Sequence, residues 1–494
     1  MAALMLQGTG SDVGKSVLVA GLCRAFSNRG LSVRPFKPQN MSNNAAVTGD
    51  SGEIGRAQAT QALACRVAPS VDMNPVLLKP QGDRTSQLIV RGQVRGILAA
   101  ARWREGRVGL LPEILDSFAR LSDACDLVIV EGAGSPAEIN LRDADIANMG
   151  FARAADVPVI LVGDIDRGGV IASIVGTRAV IDPADAAMIR GFLVNKFRGD
   201  PVLFDDGYRA IETLSGWRGY GVVPWLADAV RLPSEDAVIL ERPVRSGARA
   251  VRIACPITPR IANFDDLDPL RLEPGIELIM VPPGTPIPDV DMIILAGSKA
   301  TIKDLAFLRA QGWDVDILAH HRRGKSIVGL CGGYQMLGRS IADPHGIEGE
   351  ATTVAGLGLL EIDTRLAITK TLVQVQGMAQ GARFEGFEMH MGATTGEGLG
   401  RPFGHRADGS AEGAISADGL VAGSYVHGLF ALAEQRAVWL ARIGVDAVGP
   451  DHAVSVDTAL DAIAATLERQ LDLDAMLALA QQAGRSAANG AGHG

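Results

Sequence analysis

Short, largely apolar runs separated by longer stretches of helical period recur along this chain, and they constrain its fold more than any other feature. Leu4–Gln7, Leu127–Val130, Val157–Val162 and Ile189–Asn195 are such runs, and Lys15 to Arg29 has helical spacing. A strand that is apolar on both faces needs cover on both faces, which a parallel sheet with crossover helices provides. The pattern predicts one α/β unit over residues 1–225. Residues 226–249 carry turn residues and charges without a long period and are expected to be a linker. VRIAC, ELIMV, DMIIL and SIVGL then open a second α/β unit over 250–445. Residues 446–494 are expected to form a terminal helical segment, with 455–483 in helical period and a frayed tail, GRSAANGAGHG. The fold class that follows is α/β, with two doubly wound domains.

Composition narrows the partners. A net charge of −9 over 494 residues disfavours non-specific nucleic-acid binding, so anions must be held by local devices such as helix N-termini. Five cysteines without a CxxC pair form neither a disulfide framework nor a zinc site. The N-terminus lacks a basic segment followed by an apolar one, and the apolar runs are too short to span a membrane. The expected location is a reducing cytoplasm, with soluble substrates and no membrane or nucleic-acid partner. A homo-oligomer is left open.

Gly8-Thr9-Gly10-Ser11-Asp12-Val13-Gly14-Lys15-Ser16 lies between the first strand and the first helix. Glycines there let backbone N–H groups turn in around phosphates, a Lys neutralises β/γ charge, and a Ser hydroxyl can ligate Mg²⁺. The loop is irregular, because Thr9 stands where a regular phosphate loop has its first Gly. Gly10, Asp12, Val13, Gly14, Lys15 and Ser16 are therefore predicted ATP contacts. Lys37 is expected at a strand end facing the same crevice. Glu131, directly after Leu127–Val130, is placed to hold Mg²⁺ with Ser16; Glu53 and Asp50 are weaker metal candidates. Asn195 ends another strand, where it either reads adenine or is simply solvated.

In the second half, Ser326–Leu330 runs into Cys331-Gly332-Gly333 and a helical stretch. Glycines flanking a Cys on a sharp strand-to-helix turn make a nucleophile elbow, with the thiol at a helix N-terminus that favours thiolate. His427, in GSYVHGLF, is the best general-base candidate, and His390, in FEMHMG, is the runner-up. The turn Gly297-Ser298-Lys299 offers backbone N–H groups to an oxyanion hole.

Together these segments resemble known families. ILAGSK, GLCGGYQMLG and YVHGLF resemble the cobalamin-pathway branch of class I glutamine amidotransferases, and QGTGSDVGKS resembles the dethiobiotin-synthetase-like P-loop proteins. With FKPQNMSNN, EGAGSPAEINL, GDIDRGGVIAS, NKFRGD, ANFDDLDPL and FEMHMG, the chain from residue 7 to about 435 resembles the cobyric acid synthase family. That resemblance implies a ligase that uses ATP, Mg²⁺ and glutamine. Its corrinoid substrate would be adenosylcobyrinic acid a,c-diamide, amidated at carboxylates b, d, e and g through acyl phosphates. Cys331 and His427 would release the ammonia. Leu429 stands where ordinary class I enzymes carry a Glu two residues after the His, so no orienting carboxylate is expected. The alternatives are a cobyrinic acid a,c-diamide synthase and, from another class, a ParA/MinD-like nucleotide switch. Asp164, Asp166 and Arg167 are candidate neighbours of the corrinoid.

Overall fold

The computed structural model describes residues 2–82, 85–99, 109–233 and 251–490. The first apolar runs form a six-stranded sheet, in the order Arg218–Pro224, Ile189–Phe197, Val159–Asp164, Ala2–Gly8, Leu127–Glu131, Val33–Phe36. Every neighbour in it is parallel. Its strands alternate side chains into two separate cores. Leu4, Leu6, Ile129 and Ile160 pack on one face, and Met5, Val128, Val130 and Leu161 on the other. The expectation of strands covered on both faces is thereby met.

The second unit repeats the plan. Ile276–Val281, Val251–Pro256, Met292–Leu295, Ser326–Leu330 and Val421–Ser424 are successive parallel neighbours, and Ala414–Ile415 closes the edge antiparallel. Beside it a long hairpin, Asp363–Ala379 with Ala382–Thr395, pairs with Val426–His427.

Three features were not foreseen. Between Val33–Phe36 and Leu127–Glu131 the chain inserts a second sheet, Gln39–Met41, Val76–Gly82, Thr85–Val90 and Gln93–Ala99. Leu77 and Ile89 of this sheet, with Ala45 and Val47, share a core with Met389 of the hairpin, so the two units meet there. The terminal helices do not stand apart. His452–Gln470 and Leu473–Gly490 return to the first unit, where Leu460, Ile463, Leu467 and Met476 join the core of Leu18 and Leu22. The second of them runs on through most of the glycine-containing end. Of the expected linker, Ala227–Arg231 is a short 3₁₀ turn, and 234–249 lies outside the described residues. No described helix is long and apolar enough to cross a membrane.

Candidate functional site

The phosphate loop joins the strand Ala2–Gly8 to the helix Lys15–Asn28. Gly14 has φ +93, and a Cβ on it would lie 2.4 Å from Nδ2 of Asn195. A Cβ on Gly8 would meet Val13, the Gly10 carbonyl and the Lys15 ammonium at 2.6–2.9 Å. Gly8 and Gly14 therefore leave no room for a side chain, whereas Gly10 has open space around it. Lys15 Nζ donates to the carbonyls of Gly10, at 2.9 Å, and Gly134, at 3.2 Å. Asn195 is buried and donates through Nδ2 to the Val13 carbonyl at 2.8 Å. Its amide latches the loop from behind, and Asn195 is not on the wall of the cavity described below. Asp12, exposed at φ 58, pairs with Arg167 at 3.4 Å.

Strand ends bring the charged groups together. Glu131 Oε1 accepts from Ser16 Oγ at 2.7 Å and from Lys37 Nζ at 2.9 Å, and Oε2 accepts from Gln61 Nε2 at 2.6 Å. Burial pushes this carboxyl's pKa up, but the Lys37 ammonium and the three hydrogen bonds outweigh it and hold it below its ordinary value. A persistent carboxylate beside a Ser hydroxyl at a phosphate loop is a donor set suited to Mg²⁺. Among the described residues no group of three His, Cys, Asp or Glu could hold a metal, so the ion would rely on phosphates and water for its other ligands. Ser11, Gly14, Lys15, Ser16, Lys37 and Glu131 line a cavity of about 1020 Å³. Its opposite wall, which includes Phe264, Leu267 and Met280, comes from the second unit.

Glu53 does not belong to this site. It is fully buried between Lys79 Nζ, at 2.8 Å, and Lys370, with which it also pairs. Lys370 lies on the hairpin of the second unit, so Glu53 is an electrostatic rivet between units, and the metal assignment is corrected. Burial raises its pKa, the two ammonium groups outweigh that, and the result is about 2. Asp50 caps a turn by accepting the Val71 N–H at 3.3 Å. Asp164 pairs with Lys196 and Asp166 with Arg198, both at 2.7 Å, while Arg167 reaches the cavity wall.

The elbow forms as the glycines require. Cys331 has φ 50 and ψ −106 between Ser326–Leu330 and the helix Gly332–Leu337. Gly333 cannot carry a Cβ, which would lie 2.0 Å from the Leu295 carbonyl. A Cβ on Gly332 would lie 2.7 Å from Ser298 N, so the Gly297-Ser298-Lys299 turn lies directly against the elbow. The Lys299 N–H is taken by the Arg260 carbonyl at 2.8 Å, so that residue of the turn does not donate to the elbow.

His427 is 2% exposed and within hydrogen-bonding reach of Cys331. Its Nδ1 lies 2.7 Å from Asp266 Oδ2, and Asp266 Oδ1 accepts the Gly428 N–H at 2.7 Å. The expectation that His427 lacks an orienting carboxylate is therefore corrected, because Asp266, 161 residues earlier, occupies that role. Burial opposes the imidazolium, but Asp266 and then Cys331 favour it more strongly, and the pKa rises to about 10. The signal available in the sequence was the pair Asp265-Asp266 behind Asn263, which sits at φ 51 and starts a 3₁₀ turn. His390 stacks on Tyr425 at 3.7 Å, lies 3.2 Å from Glu388, and lines a second pocket together with Cys331 and His427. That pocket also takes Asn43, Lys79 and Gln81 from the first unit.

Comparison with known proteins agrees with this division of labour. Residues 4–239 match the CobQ/CobB/MinD/ParA nucleotide binding domain, and residues 252–435 the CobB/CobQ-like glutamine amidotransferase domain. A cobyric acid synthase of Rhizorhabdus wittichii is 70% identical over 485 residues, covering 98% of this chain and 100% of that protein. Those of Novosphingobium aromaticivorans and Sphingopyxis alaskensis are 68% and 69% identical. They cover 96% and 97% of this chain and 97% and 99% of their own lengths.

Proposed function

The chain belongs to the cobyric acid synthase family, glutamine-dependent amidotransferase ligases, and from that premise we propose the following reaction. Carboxylates b, d, e and g of adenosylcobyrinic acid a,c-diamide become carboxamides, giving adenosylcobyric acid. In this reading residues 1–225 carry the ATP chemistry, 250–445 carry the glutaminase, and the helices His452–Gln470 and Leu473–Gly490 of the 446–494 segment brace the first part.

A carboxylate is a poor electrophile. Its oxygen takes the γ-phosphoryl group of ATP, ADP leaves, and ammonia then displaces phosphate from the acyl carbon. Gly10, Asp12, Val13, Gly14 and Asn195 shape the loop; Lys15 and Lys37 offset phosphate charge. Ser16 and Glu131 are the residues that would hold Mg²⁺, which would supply positive charge to offset that of the phosphates.

On the other side, Cys331 Sγ attacks the amide carbon of glutamine. The oxyanion is held by the N–H groups of Ser298 and Gly332, and His427, kept protonated by Asp266, delivers its proton to the departing ammonia. Neutral His427 then takes a proton from water, which hydrolyses the thioester to glutamate. Ammonia loses its nucleophilicity once protonated, so proximity of the two sites matters. The observation that carries the reading is that Cys331 and His427 share their pocket with Lys79 and Gln81 of the ATP-binding unit.

Mass spectrometry of the corrinoid after incubation with MgATP and glutamine tests it. A ladder ending at the fourth amidation is expected. Cys331→Ala should lose glutamine use but keep amidation from ammonium, whereas Lys15→Met should lose both. An unmodified corrinoid with ATP still hydrolysed, or glutaminase surviving in Cys331→Ala, overturns the assignment.

A further inference from the structure

One short helix of the ATP-binding unit reaches both sites. Arg56–Ala64 is a nine-residue helix. Near its C-terminal end Gln61, wholly buried, donates to Glu131 Oε2 at 2.6 Å and to the Ser16 carbonyl at 3.3 Å. Its first residue points into the other unit. Arg56 Nε lies 2.8 Å from Asp265 Oδ2, and its guanidinium carbon is 5.3 Å from the centre of the Phe387 ring.

Both partners of Arg56 touch the glutaminase triad. Asp265 is the chain neighbour of Asp266, which orients His427. Phe387, on the hairpin strand Ala382–Thr395, pairs with His427 of the neighbouring strand Val426–His427 and stacks on its ring at 5.1 Å. The helix start is pinned as well: the Arg56 N–H donates to the Asn44 carbonyl at 3.1 Å, and the Ala45 N–H donates to Asn263 Oδ1 at 3.1 Å. Asn263 opens the turn that carries Asp265 and Asp266. The five residue steps from Arg56 to Gln61 span about 7.5 Å along a helix axis, a length over which a packed helix moves as one body.

We propose that Arg56 is a positioning residue of the Cys331–His427–Asp266 triad, and that its helix transmits the state of Glu131 to it. This rests on the reading of the two sites given above. A ligand that draws the Glu131 oxygens toward itself changes the acceptor that Gln61 is using. Gln61 must then re-pair, and the displacement arrives at Asp265 and Phe387 through Arg56. The ATP-binding unit thereby holds the imidazole in place from outside its own sheet, and glutamine is hydrolysed fastest when the amidating site is loaded.

The test uses the full-length enzyme and the rate at which iodoacetamide alkylates Cys331, located by peptide mass spectrometry, with and without MgATP. In the wild-type protein MgATP should change this rate at least about threefold. In Arg56→Met, at the end of the helix away from the phosphate loop, the change should fall below about 1.5-fold. Equilibrium dialysis should show that MgATP still binds to this variant. Glutaminase kcat should drop about tenfold with glutamine KM within about twofold, and Arg56→Lys should recover most of both effects. Amidation driven by ammonium reports the integrity of the fold. A wild-type alkylation rate indifferent to MgATP, or an Arg56→Met protein that responds as the wild type does, overturns the proposal. Glutaminase surviving in Cys331→Ala would instead overturn the site assignment on which it rests.

Discussion

Replacing Asp266 by Asn removes one negative charge and almost no volume, which makes it the sharpest probe of the glutaminase chemistry. Asp266 Oδ2 lies 2.7 Å from His427 Nδ1, and both side chains are 2% exposed. Two unit charges about 4 Å apart interact by about 4 kcal/mol at an effective dielectric constant of about 20. At about 1.4 kcal/mol per unit, losing that interaction lowers the imidazolium pKa by roughly three units. The present value is about 10. In the variant His427 would therefore be largely neutral at pH 8. The amide adds a second fault. If its Nδ2 donates to Nδ1, the neutral ring must carry its proton on Nε2 and can no longer accept one from the thiol. Glutamate release at saturating glutamine and pH 8 should fall roughly 10³-fold, with KM changed by less than about threefold. Amidation from ammonium should stay within about threefold, because it does not use this triad. A variant that retains more than a fifth of the wild-type kcat between pH 7 and 9 would refute the role given to Asp266.

Other substitutions test the remaining contacts. Glu53→Gln leaves Lys79 and Lys370 buried with no counter-charge, which should cost about 3–5 kcal/mol in urea unfolding; Glu53→Gln combined with Lys370→Met should recover part of that. The folded pKa of Glu53 is depressed to about 2, so its contribution is present above about pH 4.5 and is lost as pH falls through about 2, which acid titration of the wild type and Glu53→Gln should show as converging curves. His427 is the opposite case. Raised to about 10, it stabilises the fold fully below about pH 6.5 and loses that contribution as pH rises through about 10, so the melting-temperature advantage of the wild type over Asp266→Asn should narrow across that window. Gly14→Ala, forced to φ +93 against Asn195, should raise the KM for ATP at least about tenfold, whereas Gly10→Ala, with open space around it, should change stability by less than about 0.5 kcal/mol.

The parts legible in the sequence are those written in consecutive residues. The phosphate loop and the cysteine elbow are each a strand, a glycine turn and a helix, so local sterics alone place Lys15, Ser16 and Cys331. Glu131 was legible for a related reason: its strand is the parallel neighbour of Ala2–Gly8, and neighbouring parallel strands end on the same edge. His427 could be named, but not its partner, because the Asp266 contact spans 161 residues. No periodicity reports which of several acidic turns will face a histidine. Glu53 misled for the converse reason. Its acidic, glycine-flanked setting resembles a metal loop, and only the fold reveals that Lys79 and a hairpin lysine more than 300 residues away enclose it.

The return of the last helices bears on how the two sites stay aligned. Arg24, on the phosphate-loop helix, is wholly buried, and its guanidinium meets Asp457 and Asp461 of His452–Gln470 and the Leu63 carbonyl of the Arg56–Ala64 helix. One side chain thus joins the helix that follows the phosphate loop, the helix that carries Arg56, and the helix that follows the second unit in the chain. Gly21 allows the close approach, since a Cβ there would lie within 2.7 Å of both Leu467 and Ile463. The glutaminase sheet is consequently anchored to the ATP-binding sheet from both of its chain ends. Tethering at two points removes most of the relative translation and rotation that a single linker would permit, and raises the effective concentration of one site at the other. In the reaction proposed above, ammonia has to stay unprotonated until it meets the acyl phosphate, and such an arrangement serves that need. The Glu53 rivet and the Arg56 contact then set the fine register that the double tether makes affordable in entropy.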